Sequence, residues 1–184
     1  MADPAPWLEP LVLEGRLIRL LPLLPTHAPG LFEVGCDQDI WRFVPYGSTD
    51  SLAAMQAWVT LLLERQARGT DLPFVICHRA RRRLVGATRY VNADPPNRTI
   101  EIGGTWYGAA YRGTAVNPEA KLLLLEQAFG RLGAVREGVW REHMILPDGH
   151  RGSSVFYSLL QNEWPAVRAG LRQRVAGDEA QAST

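Results

Sequence analysis

Lysine is almost missing from this chain. Of 20 basic residues in 184, only Lys121 is a lysine and the rest are arginine, which reads as a genomic coding bias before it reads as function. Cysteine is scarce too. Cys36 and Cys77 stand alone with no C-x-x-C pair, which excludes a disulfide framework and points to two reduced thiols in a cytoplasmic protein. There is no excess of either charge: 20 Lys+Arg against 19 Asp+Glu leaves +1, so no global electrostatic case arises for nucleic acid or a membrane surface as partner. Long apolar runs are absent, the longest being of the kind seen at 122–125, too short to cross a bilayer. Residues 1–10 lack the basic-then-apolar order of a signal peptide. His27, His78, His143 and His150 show no metal spacing, no H-E-x-x-H or G-x-S-x-G occurs, and Cys36 has no visible catalytic partner. No metal is therefore expected. What is present is 46% hydrophobic and 21% charged residues, the make-up of one ordered domain with a real core.

Periodicity divides the chain. Residues 11–20 read as a strand pair or bent strand stopped by Pro22 and Pro25, and Thr26 suits the cap of a short helix to about Asp37. Residues 41–47 form an aromatic loop. Leu52, Met55, Val59, Leu62 and Leu63 mark a longer helix that starts at Asp50 or Ser51, with Gly69 beyond its end. The period then changes. Strands are expected at 73–77, at 84–91 with a bulge at Gly86, and at 99–106, joined by short turns. Asn117-Pro118-Glu119 is a strong helix start, with Asn as N-cap, and Gly133 ends that helix. Strands at 135–146 and 153–160 and a last helix to about Val175 complete the order β, α, α, β, β, β, α, β, β, α. This is mixed α+β with a mostly antiparallel sheet. The tail 176–184 is small and polar and is expected to fray.

The stretch with chemical content runs from Glu101-Ile102-Gly103-Gly104-Thr105-Trp106 to Tyr111-Arg112-Gly113-Thr114-Ala115-Val116-Asn117-Pro118-Glu119. A glycine-containing loop that feeds a helix N-terminus offers converging backbone N–H groups at the positive end of the dipole, which suits a phosphate or pyrophosphate. It is neither a Walker loop nor G-x-G-x-x-G. The same residues also make an ordinary capped helix start, and both readings stand on spacing alone.

Several phrases in order carry a resemblance. They are Leu13-Glu14-Gly15-Arg16-Leu17-Ile18-Arg19-Leu20, Leu84-Val85-Gly86-Ala87-Thr88, Ile100-Glu101-Ile102-Gly103-Gly104-Thr105-Trp106, Arg112 to Asn117, Met144-Ile145-Leu146-Pro147-Asp148-Gly149 and Val155-Phe156-Tyr157-Ser158-Leu159-Leu160. Over about 11–167, with 1–10 and 176–184 as flexible ends, the chain resembles the GNAT-superfamily N-acetyltransferases, in their RimJ/RimL-like branch. The resemblance implies a three-layer fold with helices flanking the sheet and acetyl-CoA as co-substrate. It places the pyrophosphate on the amides of Arg112, Gly113, Thr114, Ala115, Val116 and Asn117, and the pantetheine beside Gly103, Thr105 and Trp106. A primary amine, on a protein N-terminus or a small molecule, would attack the thioester. Glu101 is the implied base, acting through water, and Tyr157 the implied acid for the thiolate. Trp41, Pro45 and Tyr46 match the loop that lines the acceptor pocket. Arg79, Arg81, Arg82 and Arg83 read as a solvated turn, with the CoA 3′-phosphate or an acidic substrate as the rival reading.

The chain departs from the family pattern twice. Ala115 and Asn117 stand where the pyrophosphate loop has smaller residues, and Ala115 adds a Cβ at a close approach. Residues 130–136 pass directly from helix to closing strand, where the family has a further strand and helix, about 20–25 residues. The acetyl-CoA cleft is thus expected to be incomplete. Either the strand at 135–146 moves into the vacant sheet position, or the strand at 99–106 keeps an open edge that invites a homodimer. Two outcomes stand beside catalysis: a catalytically impaired descendant that binds acyl-CoA or a partner without turnover, and a self-associating chain.

Overall fold

The computed structural model describes residues 8–43, 49–94, 99–132, 138–145, 151–156 and 162–182. β1 (Leu13–Glu14) and β2 (Ile18–Pro22) form a hairpin closed by the Gly15 N–H on the Ile18 carbonyl, 2.9 Å. A 3₁₀ turn, Pro25–His27, leads into α1 (Ala28–Val34), and a second, Gln38–Phe43, occupies part of the expected aromatic loop. α2 (Leu52–Ala67) begins where its cap predicts: Ser51 Oγ accepts the Ala54 N–H at 3.1 Å. Then follow β3 (Asp71–His78), β4 (Arg83–Asp94), β5 (Thr99–Tyr107), α3 (Val116–Leu132), β6 (Gly138–Ile145), β7 (Arg151–Phe156) and α4 (Trp164–Ala182).

β1 to β5 make one antiparallel sheet in sequence order, and β6 and β7 pair as a two-stranded sheet of their own. Among the described residues, then, the strand after α3 pairs with β7 and not with the main sheet. Among the described residues β5 is its edge, with β4 as its one strand neighbour.

The alternation of β-strand side chains builds two apolar layers. Ile18, Leu20, Leu72, Phe74, Ile76 and Tyr90 pack under Val116, Ala120, Leu124 and Ala128, which recur every four residues along α3. On the other face, Val75, Ala87 and Trp106 meet Leu31 of α1 and Met55, Trp58, Val59 and Leu62 of α2.

Three irregularities interrupt the register. Leu84 and Gly86 of β4 face Cys77 and Ile76 of β3, so the bulge expected at Gly86 is present. Asn92, at φ 51°, marks an extra residue further along β4. The third lies in β5, where Gly103 and Trp106 face Arg89 and Ala87, which leaves one residue too many on β5. Gly104 takes up the excess at φ 56°, a backbone that side chains rarely adopt.

Three expectations are corrected. α3 begins at Val116, so Asn117 is not its N-cap. The Thr114 hydroxyl takes the Val116 N–H, and the Asn117 side chain is engaged elsewhere. α1 starts at Ala28 after a 3₁₀ turn and has no side-chain cap, so Thr26 does not cap it. The last helix, expected to end near Val175, continues to Ala182, because Ala176, Glu179, Ala180 and Gln181 favour helix.

Candidate active site

The β5 bulge fixes the local arrangement. Without it, strict alternation would turn Thr105 toward α2 and Trp106 toward α3. With it, Trp106 enters the α1/α2 layer and Thr105 faces α3. The bulge also needs a glycine, since a Cβ at Gly104 would lie 2.9 Å from Arg89 Cζ. Arg89 is itself buried and ion-paired to Asp71, Nε to Oδ2 2.9 Å, and burial lowers its pKa to about 10.

From α3, the Lys121 ammonium reaches β5 and donates to Thr105 Oγ1 at 2.9 Å, and Thr105 shares a 2.8 Å hydrogen bond with Thr88 of β4. Burial lowers the Lys121 pKa to about 8. Two residues earlier, the Glu119 carboxylate is buried and clamps the β1–β2 hairpin. It accepts backbone N–H groups of Arg16 (2.7 Å), Leu17 (2.8 Å) and Ile18 (2.8 Å). Sequence reasoning gave neither residue a site role; the visible signals were a carboxylate in a first helical turn and a solitary lysine.

The loop between β5 and α3 is held from several sides. The Tyr107 hydroxyl donates to Asn117 Oδ1 at 3.0 Å, and burial pushes its pKa up. Thr114 Oγ1 donates to the Tyr111 carbonyl at 2.9 Å. Arg112 Nη2 pairs with Asp37 past the end of α1 at 2.7 Å, and its Nε reaches the Tyr107 carbonyl at 3.3 Å. Gly113 sits at φ 73°, and an added Cβ there would meet nothing within 4 Å. The β3–β4 turn comes alongside. Arg81 lies over the Tyr111 ring, 5.5 Å to its centroid, and donates to the Tyr111 hydroxyl at 3.2 Å. Arg79 holds the Gly15 carbonyl at 2.6 Å, so both arginines have partners within the chain.

Glu101, Gly103, Thr105 and Trp106 lie along the edge strand and Arg112 to Asn117 along the loop and helix start that follow it, with Trp106, Ala115 and Val116 turned into the core. Glu101 is half-buried opposite Val91 and accepts the Asn92 amide N–H at 3.1 Å. The Trp106 side chain lies in the core against Trp41 and Trp58, with centroids 5.1 and 6.1 Å away. Trp41 is buried beside it and donates its indole N–H to the Gly35 carbonyl at 2.8 Å. Pro45, Tyr46 and Tyr157 lie outside the described residues. Among the described residues no group of three or more His, Cys, Asp or Glu could hold a metal, and no helix is long and apolar enough to cross a membrane.

Residues 17–145 match the family described as acetyltransferase (GNAT) domain. A structure assigned as an acetyltransferase from T. thermophilus is 30% identical, covers 91% of this chain and 98% of its own, and has a TM-score of 0.78. A GCN5-related N-acetyltransferase from Brucella melitensis is 23% identical, with coverages of 90% and 85% and a TM-score of 0.80. Mycobacterium smegmatis RimJ in complex with CoA-disulfide is 17% identical, with coverages of 92% and 97% and a TM-score of 0.71. The last two likenesses are of fold. A comparison with curated proteins found no match.

Proposed function

This chain belongs to the acetyltransferase (GNAT) family and is an N-acetyltransferase, and from that premise we propose that it carries acetyl from acetyl-CoA to a primary amine, on a protein N-terminus or a small molecule, in the manner of the RimJ/RimL-like branch. The observation that carries the reading is the edge strand β5, bulged at Gly104 and joined to the start of α3 by the loop 108–115. The residues fit the co-substrate. An open strand edge suits an extended amide-bearing pantetheine. Gly113 leaves free space at a helix start where backbone N–H groups and the dipole favour phosphate.

Bound acetyl-CoA supplies an activated acyl group as a thioester. Amides of the 112–117 loop would hold its pyrophosphate, Gly113 and Thr114 foremost, since the Arg112 N–H is taken by the Ala109 carbonyl and the Val116 N–H by the Thr114 hydroxyl; the Arg112–Asp37 pair and the Tyr107–Asn117 hydrogen bond keep that loop in shape. Glu101, oriented by Asn92, takes the proton of the attacking amine through water. Tyr157 returns a proton to the thiolate. Trp41, buried against Trp58 and Trp106, would back the acceptor side, and Tyr46 is the candidate for contact with the amine.

A thiol-release assay over a panel of amines and N-terminal peptides tests this. Glu101→Gln is expected to lower kcat by about 10²–10⁴ and leave the KM for acetyl-CoA unchanged. Acetyl-CoA binding with no thiol release for any amine would favour the non-catalytic reading. The open edge of β5 supports a homodimer as well, and light scattering of the purified chain decides it.

A further inference from the structure

Lys121 is the chain's only lysine, and the fold leaves it half-buried between α3 and the sheet. Its one hydrogen-bond partner among the described residues is Thr105 Oγ1, at 2.9 Å, and no carboxylate among them pairs with it. A partly desolvated ammonium whose described partner is a hydroxyl is disfavoured, and the neutral amine relieves that cost. With a pKa of about 8, about a tenth of the chains carry the neutral amine at pH 7 and about half at pH 8. Thr105 adjoins the Gly104 bulge on the strand assigned above to the pantetheine. A neutral primary amine is the species that acetyl transfer consumes.

We propose that Lys121 is a self-acetylation site, its Nζ taking the acetyl group of bound acetyl-CoA when no other acceptor amine is present. The Nζ lone pair attacks the thioester carbonyl carbon, the C–N bond forms as the C–S bond breaks, and the proton shed by nitrogen ends on the CoA sulfur. The products are Nε-acetyl-lysine and CoA, with no oxidant or reductant needed. The modified side chain keeps an N–H for Thr105 and loses a half-buried charge, so the acetylated chain is the more stable form. The proposal rests on the reading that acetyl-CoA lies along β5.

The test uses the full chain with acetyl-CoA at pH 8 and no acceptor, followed by intact-mass measurement, peptide mapping and, in parallel, calorimetric titration of acetyl-CoA. One acetyl group per chain is expected on Lys121, at a rate that saturates with acetyl-CoA and falls at least tenfold under excess CoA, with a Tm raised by several degrees. Lys121→Arg is expected to take no internal acetyl group and to lose the single equivalent of CoA released without acceptor. Its own Tm and acetyl-CoA titration show whether it is folded. If acetyl-CoA binds and Lys121 stays unmodified, or is modified equally fast under excess CoA, the proposal is overturned and the functional reading stands. If acetyl-CoA does not bind, both fail.

Discussion

Replacing Glu119 tests how the cofactor-side helix is anchored. Its carboxylate is the sole side chain seen to accept the successive N–H groups of Arg16, Leu17 and Ile18, at 2.7–2.8 Å. A hydrogen bond to a charged acceptor contributes about 1.5–3 kcal/mol, and a buried donor left alone costs about 1–3 kcal/mol. Ile18 is fully buried and Leu17 half-buried, whereas the exposed Arg16 can turn its amide to water. Glu119→Ala therefore costs about 4 kcal/mol, a large part of the 5–15 kcal/mol that holds a typical domain. Glu119→Gln keeps the shape, loses the charge and sets its NH₂ against one donor, for about 2 kcal/mol. Urea unfolding followed by tryptophan fluorescence reads both. A second variant sharpens the test. A Cβ on Gly15 would lie 2.7 Å from Glu119 Cδ, so Gly15→Ala costs about 1–3 kcal/mol in the native background. Once the carboxylate is gone, most of that clash goes with it. The double-mutant cycle should show coupling of about 1 kcal/mol or more. Additive costs, or Glu119→Gln within about 0.5 kcal/mol of the parent, would refute the clamp.

Gly104→Val forces a side chain onto φ 56° and into Arg89, and is expected to cost about 3 kcal/mol and weaken acetyl-CoA binding in the same titration. Asp71→Asn leaves the Arg89 guanidinium buried without its counter-charge; denaturant midpoints should report a loss of about 3–5 kcal/mol, and Asp71→Leu with Arg89→Met should recover most of it. Burial holds Lys121 near pH 8 against an ordinary 10.5, so between those values the unfolded chain binds a proton that the folded chain has released. Stability should therefore rise with pH across that window by about 3 kcal/mol, and a pH series of chemical denaturation on Lys121→Met should lack that rise. His27 and His78 are lowered from 6.5 chiefly by burial, so their contribution runs the same way, with stability falling as pH drops below that value.

The meander and the strand–loop–helix unit were legible because their signals are local. Alternation marks β3 to β5, and glycine with Asn-Pro-Glu marks the entry to α3. The helix starts two residues earlier than expected because the Thr114 hydroxyl, not Asn117, takes the first free N–H, and Asn117 serves Tyr107, ten residues back. The bulge at Gly104 was not foreseen in the strand expected at 99–106; it depends on Arg89, a strand away, whose head fills the space beside Gly104. Glu119 was readable as a dipole partner, yet its true partners lie about a hundred residues earlier, where no local pattern reaches. The same holds for Trp41, Trp58 and Trp106, which meet across three elements. Lys121 drew notice only as a count, because burial and a hydroxyl partner are properties of the packed helix.

Calorimetric titration of the purified full chain with acetyl-CoA tests the central claim most directly. The account predicts saturable binding of one acetyl-CoA per chain, weakened by Gly104→Val at the strand and by replacing Gly113 with valine at the loop. No binding at millimolar acetyl-CoA, or binding that both substitutions leave unchanged, would contradict it.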